Sequence, residues 1–275
     1  MPPTTIGPPM TLEQLKETVL ANNRKVLSFQ ARCEISISGP NIQGSPLRCN
    51  GYIVMLKPKH FKIHISKTLA PTLLEAVSDG DTFWVYVPDE KTIWTGRCDR
   101  PRTVEATGMV IYPDDIANMF DLSDAFYGKV PVMEIHPNHQ TVTMLDVTAD
   151  TVRMRSRMTV LRVNQQVSMY QMFDPDGQMR IQGIFRDWIK ISGGVVPRTI
   201  LLNWPQSDIT ITLALPDPVE TRNPRDLTVN DPTIVPSLFK LAPPKRKDVQ
   251  VRDLDRPGEP AQLPEAEKPK DKKGR

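Results

Sequence analysis

The chain has 275 residues, 39% hydrophobic and 24% charged, with a formal net charge of +3. This is the composition of a folded globular protein; it excludes disorder throughout, and the weak charge gives no basis for nucleic acid as a partner. No run approaches the roughly 18 apolar residues that a membrane-spanning helix needs.

Prolines crowd the ends of the chain: 16 of 27 lie in residues 1–9 and 205–275. An ordinary folded body is therefore expected between Pro-rich termini, with residues 1–10 flexible, 11–242 forming one domain and 243–275 a disordered, charged tail. Met1-Pro-Pro-Thr-Thr-Ile-Gly-Pro-Pro-Met10 has neither a basic start nor an apolar stretch, so no export signal is legible in it. A cytoplasmic protein and one whose signal lies outside this sequence both remain open.

The first element is a helix over 12–25, opened by Thr11 and Gln14 in capping-box spacing and carrying Leu12, Leu15 and Val19 on one stripe. At Ser28 the period changes to two, with Phe29, Ala31, Cys33, Ile35 and Ile37 alternating with polar residues. Further strands are read at 47–56, 61–65, 82–87, 132–136, 141–147, 151–163, 166–173, 178–191, 198–203 and 208–215, about eleven in all. Asp174-Pro-Asp-Gly177 predicts a tight hairpin, and Ser192-Gly-Gly194 another reversal. Two short helices are expected, near 69–77 with Leu73, Leu74 and Val77, and near 113–120 with Ile116, Met119 and Phe120. A last short strand is expected at 237–241.

Strands do not alternate with helices, so the fold class is mostly antiparallel β with a few helices and one apolar sheet face. A curved, incompletely closed barrel with helices over its concave face fits this pattern, and a β-sandwich answers it too. Cys33 and Cys49 are placed symmetrically about Asn41 in a turn-rich segment. Antiparallel strands on either side would face the two thiols toward each other, as a disulfide or as two core residues.

Motif chemistry is sparse. His60 and His64 share a strand face with Lys62, and His136 and His139 sit at a turn without a clustered carboxylate or thiol, so no metal is expected. The acidic pairs Asp79/Asp81, Asp114/Asp115 and Asp174/Asp176 each suit turns or helix starts. Hydrolase, nucleotide-binding and zinc-protease motifs do not occur, so no catalytic residue or cofactor is assigned and the protein is expected not to be an enzyme. Arg153, Arg155 and Arg157 line one strand face, read as solvated rather than phosphate-binding for want of interleaved aromatics.

Two segments are more specific. Gly51-Tyr-Ile-Val-Met-Leu-Lys-Pro-Lys-His-Phe-Lys-Ile63 and Val77-Ser-Asp-Gly-Asp-Thr-Phe-Trp-Val-Tyr-Val-Pro88 resemble the LolA/LolB-like lipoprotein carrier superfamily. Ser28-Phe-Gln-Ala31 is similar to its first strand, and Phe239-Lys-Leu-Ala-Pro-Pro244 to its C-terminal strand. The likeness covers roughly 12–97 and 237–250. It implies a LolA-like half-barrel whose apolar concavity holds the acyl chains of lipids or lipoproteins in the periplasm or at the cell envelope, anchored there or not, without catalysis. The envelope membrane or a partner protein are further partners it allows. The alternative is a protein-interaction or sensory module on the same scaffold. Expected concavity residues are Phe29, Ala31, Ile35, Ile53, Phe61, Ile63, Phe83, Phe185 and Ile189, with Leu73, Leu74, Met119 and Phe120 on the lids. Family carriers latch the lid with an arginine before the proline; here that place is Lys57, which lacks the planar fork.

Overall fold

The computed structural model describes residues 6–40, 42, 44–67, 72–100, 102–104, 109–191, 194–216, 226–239 and 248–256. Helix α1 (Leu12–Lys25) forms where its cap predicts: Gln14 N donates to Thr11 Oγ1 at 3.3 Å, and Thr11 N to the Gln14 side chain at 2.9 Å. Its stripe residues Leu15 and Val19 are buried. Helix α2 (Pro113–Phe120) begins at a proline, carries Asp114 and Asp115 in its first turn, and ends as Asp121 N donates to Ala117 O.

The strands form two antiparallel meanders. The first is β1 (Ser28–Ser38), β2 (Leu47–Leu56), β3 (His60–Ser66), β4 (Thr72–Ser78), β5 (Thr82–Val87) and β6 (Thr92–Arg97). A two-stranded ribbon, β7 (Arg102–Val104) and β8 (Met109–Ile111), leads to α2. The second meander is β9 (Val130–Ile135), β10 (His139–Val147), β11 (Val152–Leu161), β12 (Val167–Phe173), β13 (Met179–Ile191), β14 (Gly194–Trp204) and β15 (Ile209–Ala214). Strand β15 pairs with β1, which joins the meanders into one sheet. β16 (Leu227–Val229) also pairs with β1, and β17 (Gln250–Asp253) runs parallel to β6. The resulting 15-stranded sheet ends at β17 and β9, which do not pair with each other. One continuous open sheet replaces the sandwich alternative.

The main core lies between the inner sheet face and the helices, around Leu15, Ile35, Ile53, Met119, Val142, Met144, Met158 and Ile181. Gly51 permits the tightest packing on this face. A Cβ there would stand 2.3 Å from Ile35 Cδ1 and 3.1 Å from Cys33 Sγ. The hairpin at 174–177 forms as expected, with Gly177 at φ 82° and Asp174 Oδ1 accepting from the Asp176 and Gln178 amides.

Several expectations are corrected. The segment carrying Leu73, Leu74 and Val77 is strand β4, not a helix; it is captured between β3 and β5, and tertiary pairing overrides the helical preference of Leu-Leu-Glu-Ala. Leu69 and Ser192 lie outside the described residues. The segment around Phe239 is a 3₁₀ turn (Pro236–Phe239), not a strand. The sheet is also apolar on both faces of β2–β6. Val54, Val77, Trp84, Tyr86 and Ile93 form a second cluster on the outer face, covered by Ile234 and Phe239. Strand β17 falls within the stretch expected to be tail, so the folded chain reaches at least residue 256. Finally, Cys33 pairs with Gly51 and Cys49 with Ile35, which sets the thiols diagonally on the inner face. Both are buried free cysteines, and Cys98 is a third.

Candidate binding cavity

Beneath the C-terminal half of α1 and the end of α2 the inner face is not filled. A cavity of about 110 Å³ opens there. That is space for about ten water molecules, or on the order of 300 Å³ of ligand, the lower end of small-molecule sites. The sheet contributes Phe29, Val167, Phe185 and Ile200, and Leu215 follows β15; α1 contributes Val19, and α2 contributes Met119 and Phe120. Phe120 bridges the walls, its ring centroid 5.7 Å from that of Phe29 and 6.5 Å from that of Phe185.

The close approach of helix and sheet depends on two glycines. A Cβ on Gly183 would stand 2.9 Å from Met119 Sδ, and one on Gly194 would stand 2.6 Å from Val26 Cγ2. A local irregularity shapes the far wall. Asp187 has φ 56°, while the β13–β14 register is the same on either side of it, at Arg186↔Thr199 and Trp188↔Pro197. Trp188, just past this left-handed residue, lies on the cavity wall, where strict alternation from Phe185 assigns it to the opposite face.

One polar cluster closes the rim. Lys57 Nζ donates to Asn23 O at 2.8 Å and to Asn23 Oδ1 at 2.6 Å. Asn23 Nδ2 donates to Asp121 Oδ1 at 2.8 Å and Ser123 Oγ at 3.1 Å, while Asn23 Oδ1 accepts from Leu122 N at 3.1 Å. The end of β2, the last turn of α1 and the loop after α2 are thus tied through one side chain that is 9% exposed. Burial pushes the Lys57 ammonium down to about 8, the Asp121 carboxylate opposing. The other end of α2 is fixed separately. Asp115, fully buried, accepts from Arg180 Nε at 2.8 Å and from Arg180 Nη2, and the guanidinium stacks 3.8 Å over the Tyr112 ring. Burial raises the Asp115 carboxyl to about 6, with Arg180 opposing.

Of the residues singled out in the sequence, Phe29, Phe185, Met119, Phe120 and Lys57 meet at this cavity. Ala31, Ile35, Ile53 and Phe61 are buried in the filled core beside it, and Ile63, Leu73, Leu74 and Ile189 are partly buried against that core. Phe83 is buried opposite Ser78 and Gly96, away from the cavity. Sequence reasoning missed Asn23, a polar residue on a helix, and Trp188, which departs from strict alternation just after the left-handed Asp187. Arg157 and Arg155 of the basic stripe pair with Glu134 and Asp146 at 3.6 and 3.9 Å, and the His136 ring stacks on His139 at 4.4 Å. Among the described residues no group of three or more His, Cys, Asp or Glu is placed to hold a metal, and no helix is long and apolar enough to cross a membrane.

Solved structures share this architecture. A LolA superfamily protein from Nitrosomonas europaea superposes with a TM-score of 0.53 over 85% of this chain and 99% of its own, at 11% identity. The fold is that of the LolA superfamily. Two further matches are a domain described as an outer membrane lipoprotein-sorting protein domain from Vibrio parahaemolyticus and a DUF1329 family protein from Desulfovibrio piger. The first has a TM-score of 0.54 over 80% of this chain and 94% of that one, the second 0.53 over 80% and 93%, each at 12% identity. No family model matches the sequence, and no curated protein matches it either. Within the LolA-type fold, the cavity lies between the curved sheet and the two helices that cover its concave side.

Proposed function

We propose that this protein is a non-catalytic, envelope-associated binding protein of the periplasm that holds an acyl chain in the cavity beneath α1 and α2. The observation that carries the reading is the unfilled apolar space on the covered side of the sheet, walled by Phe29, Phe120, Phe185 and Ile200. Each buried CH₂ contributes about 0.8 kcal/mol, so a chain of about eight carbons supplies about 6 kcal/mol without any directional contact. That corresponds to a Kd on the order of tens of micromolar. The assigned role of the Vibrio parahaemolyticus domain in lipoprotein sorting supports the same direction. The Lys57–Asn23–Asp121 cluster serves as the latch of the lid, with lysine in place of the arginine of the resembling carriers.

Mass spectrometry of lipid extracts from protein purified out of its native envelope tests the reading, together with a Phe185→Glu variant checked for folding by circular dichroism. Acyl-chain lipid bound to wild type and depleted from the folded variant is the expected result. A lipid-free wild-type protein held by a stable protein partner would overturn it in favour of the interaction-module reading.

A further inference from the structure

The cavity is apolar except at its rim, and among the described residues its lining carries a single formal charge, that of Lys57. An ammonium has three hydrogens to donate. Two are taken by neutral oxygens of Asn23, at 2.8 and 2.6 Å. Asp121, the acid that acts on Lys57, accepts at its Oδ1 from Asn23 Nδ2 at 2.8 Å, Ser123 N at 3.1 Å and Ser123 Oγ at 2.7 Å. Among the described residues Lys57 forms no ion pair, so one donor of a largely desolvated cation is left at the cavity wall.

The far wall repeats the pattern. Trp188 Nε1 is buried without an acceptor among the described residues. A buried donor left unpaired is destabilising, and more so when it is charged. The lining therefore offers donors, one of them cationic, around a space for one chain.

Resting on the acyl-chain reading above, we infer that the natural ligand is a single-chain anionic amphiphile whose carboxylate or phosphate head accepts from Lys57 Nζ while its hydrocarbon fills the cavity toward Trp188. Space on the order of 300 Å³ of ligand holds one hydrocarbon chain, and a lipoprotein with several acyl chains exceeds it. The latch and the head-group site are then one side chain. An anion at Lys57 pairs with the charge and keeps the ammonium protonated, so occupancy strengthens the tie from β2 to Asn23. The lowered protonation constant of Lys57 accords with a cation whose counter-ion is a ligand.

Calorimetric titration at pH 7 of the full chain with dodecanoate, dodecyl phosphate, dodecanol and dodecyltrimethylammonium tests this. Both anions should bind about tenfold or more tighter than dodecanol, the cation weakest of all. The tighter of the two anions identifies the head group. Lys57→Met should bring the dodecanoate-to-dodecanol ratio to within about twofold of one, while Lys57→Arg, which restores a cation, should keep the preference. Should Lys57→Met not fold, the wild-type ratio still decides. Equal binding of dodecanol and dodecanoate by wild type overturns the head-group inference and leaves the acyl-chain reading standing; no binding of any of the four overturns that reading itself.

Discussion

Asn23→Ala removes the side chain through which α1, β2 and the loop after α2 are joined. Four hydrogen bonds disappear: those to Lys57 Nζ at 2.6 Å, Leu122 N at 3.1 Å, Asp121 Oδ1 at 2.8 Å and Ser123 Oγ at 3.1 Å. Two involve charged partners, worth about 1.5–3 kcal/mol each in isolation, and two are neutral, at about 0.5–1.5. These bonds share one atom group and do not add, and Lys57 retains the Asn23 carbonyl. A loss of about 2–4 kcal/mol is expected. For a chain of this size each kcal/mol lowers the melting temperature by about 2–4 °C, so calorimetry should show a drop of roughly 4–16 °C. Hydrogen exchange should accelerate first in the last turn of α1 and at Leu122, since the tie acts locally. A melting point within about 2 °C of wild type would refute the view that this cluster holds the lid closed.

Lys57 should also leave a signature in pH. Its value in the folded chain, about 8, lies below the ordinary 10.5, so the unfolded chain binds the proton more tightly. The resulting deficit in stability is full below pH 8 and fades as pH rises from 8 to 10.5; urea unfolding should show wild type gaining on Lys57→Met across that interval, and a parallel pair of curves would contradict it. The thiols should be silent in the native protein. Burial raises Cys33 to about 12, Cys98 to about 11 and Cys49 upward, so a thiol reagent at pH 8 should label none before denaturation and all three after it. Two fewer thiols after denaturation, restored by reductant, would reinstate a disulfide. Phe239→Ala on the outer face should cost about 3–5 kcal/mol and speed proteolysis after residue 226, because the ring is buried in the second cluster and lies 5.1 Å from the His60 ring on β3; unchanged proteolysis would show that this cover is dispensable.

Strands with strict alternation were legible, as in Phe29–Ile37, because one buried face imposes a period of two. Where that condition fails, the signal changes. Thr82-Phe-Trp-Val-Tyr-Val87 is apolar at consecutive positions because both faces of β5 are covered, and that run was the available sign of an outer cluster. Leu73 and Leu74 were misread because a β-bulge between Ile65 and Ser66 breaks the alternation of β4 against its partner. Within the cavity, the aromatic and methionine walls followed from periodicity, and Lys57 from its place before Pro58. Asn23 and Trp188 did not, since one acts through bonds to residues about a hundred positions away and the other follows a left-handed residue, Asp187, that the periodicity does not reveal. The expected pairing of Cys33 with Cys49 failed by two residues of register, a quantity that symmetry about a loop does not specify.

The parallel annealing of β17 onto β6 has a practical corollary for anyone shortening this polypeptide. A stop codon placed where the proline-rich composition begins would strip the rim of the sheet of its outermost strand and bare the backbone of Thr92–Arg97 to solvent. Such an unprotected margin invites self-association. A trimmed version should therefore retain residues through at least 256, and its solubility relative to one cut at 242 reports whether that last strand shields the molecule from its own copies.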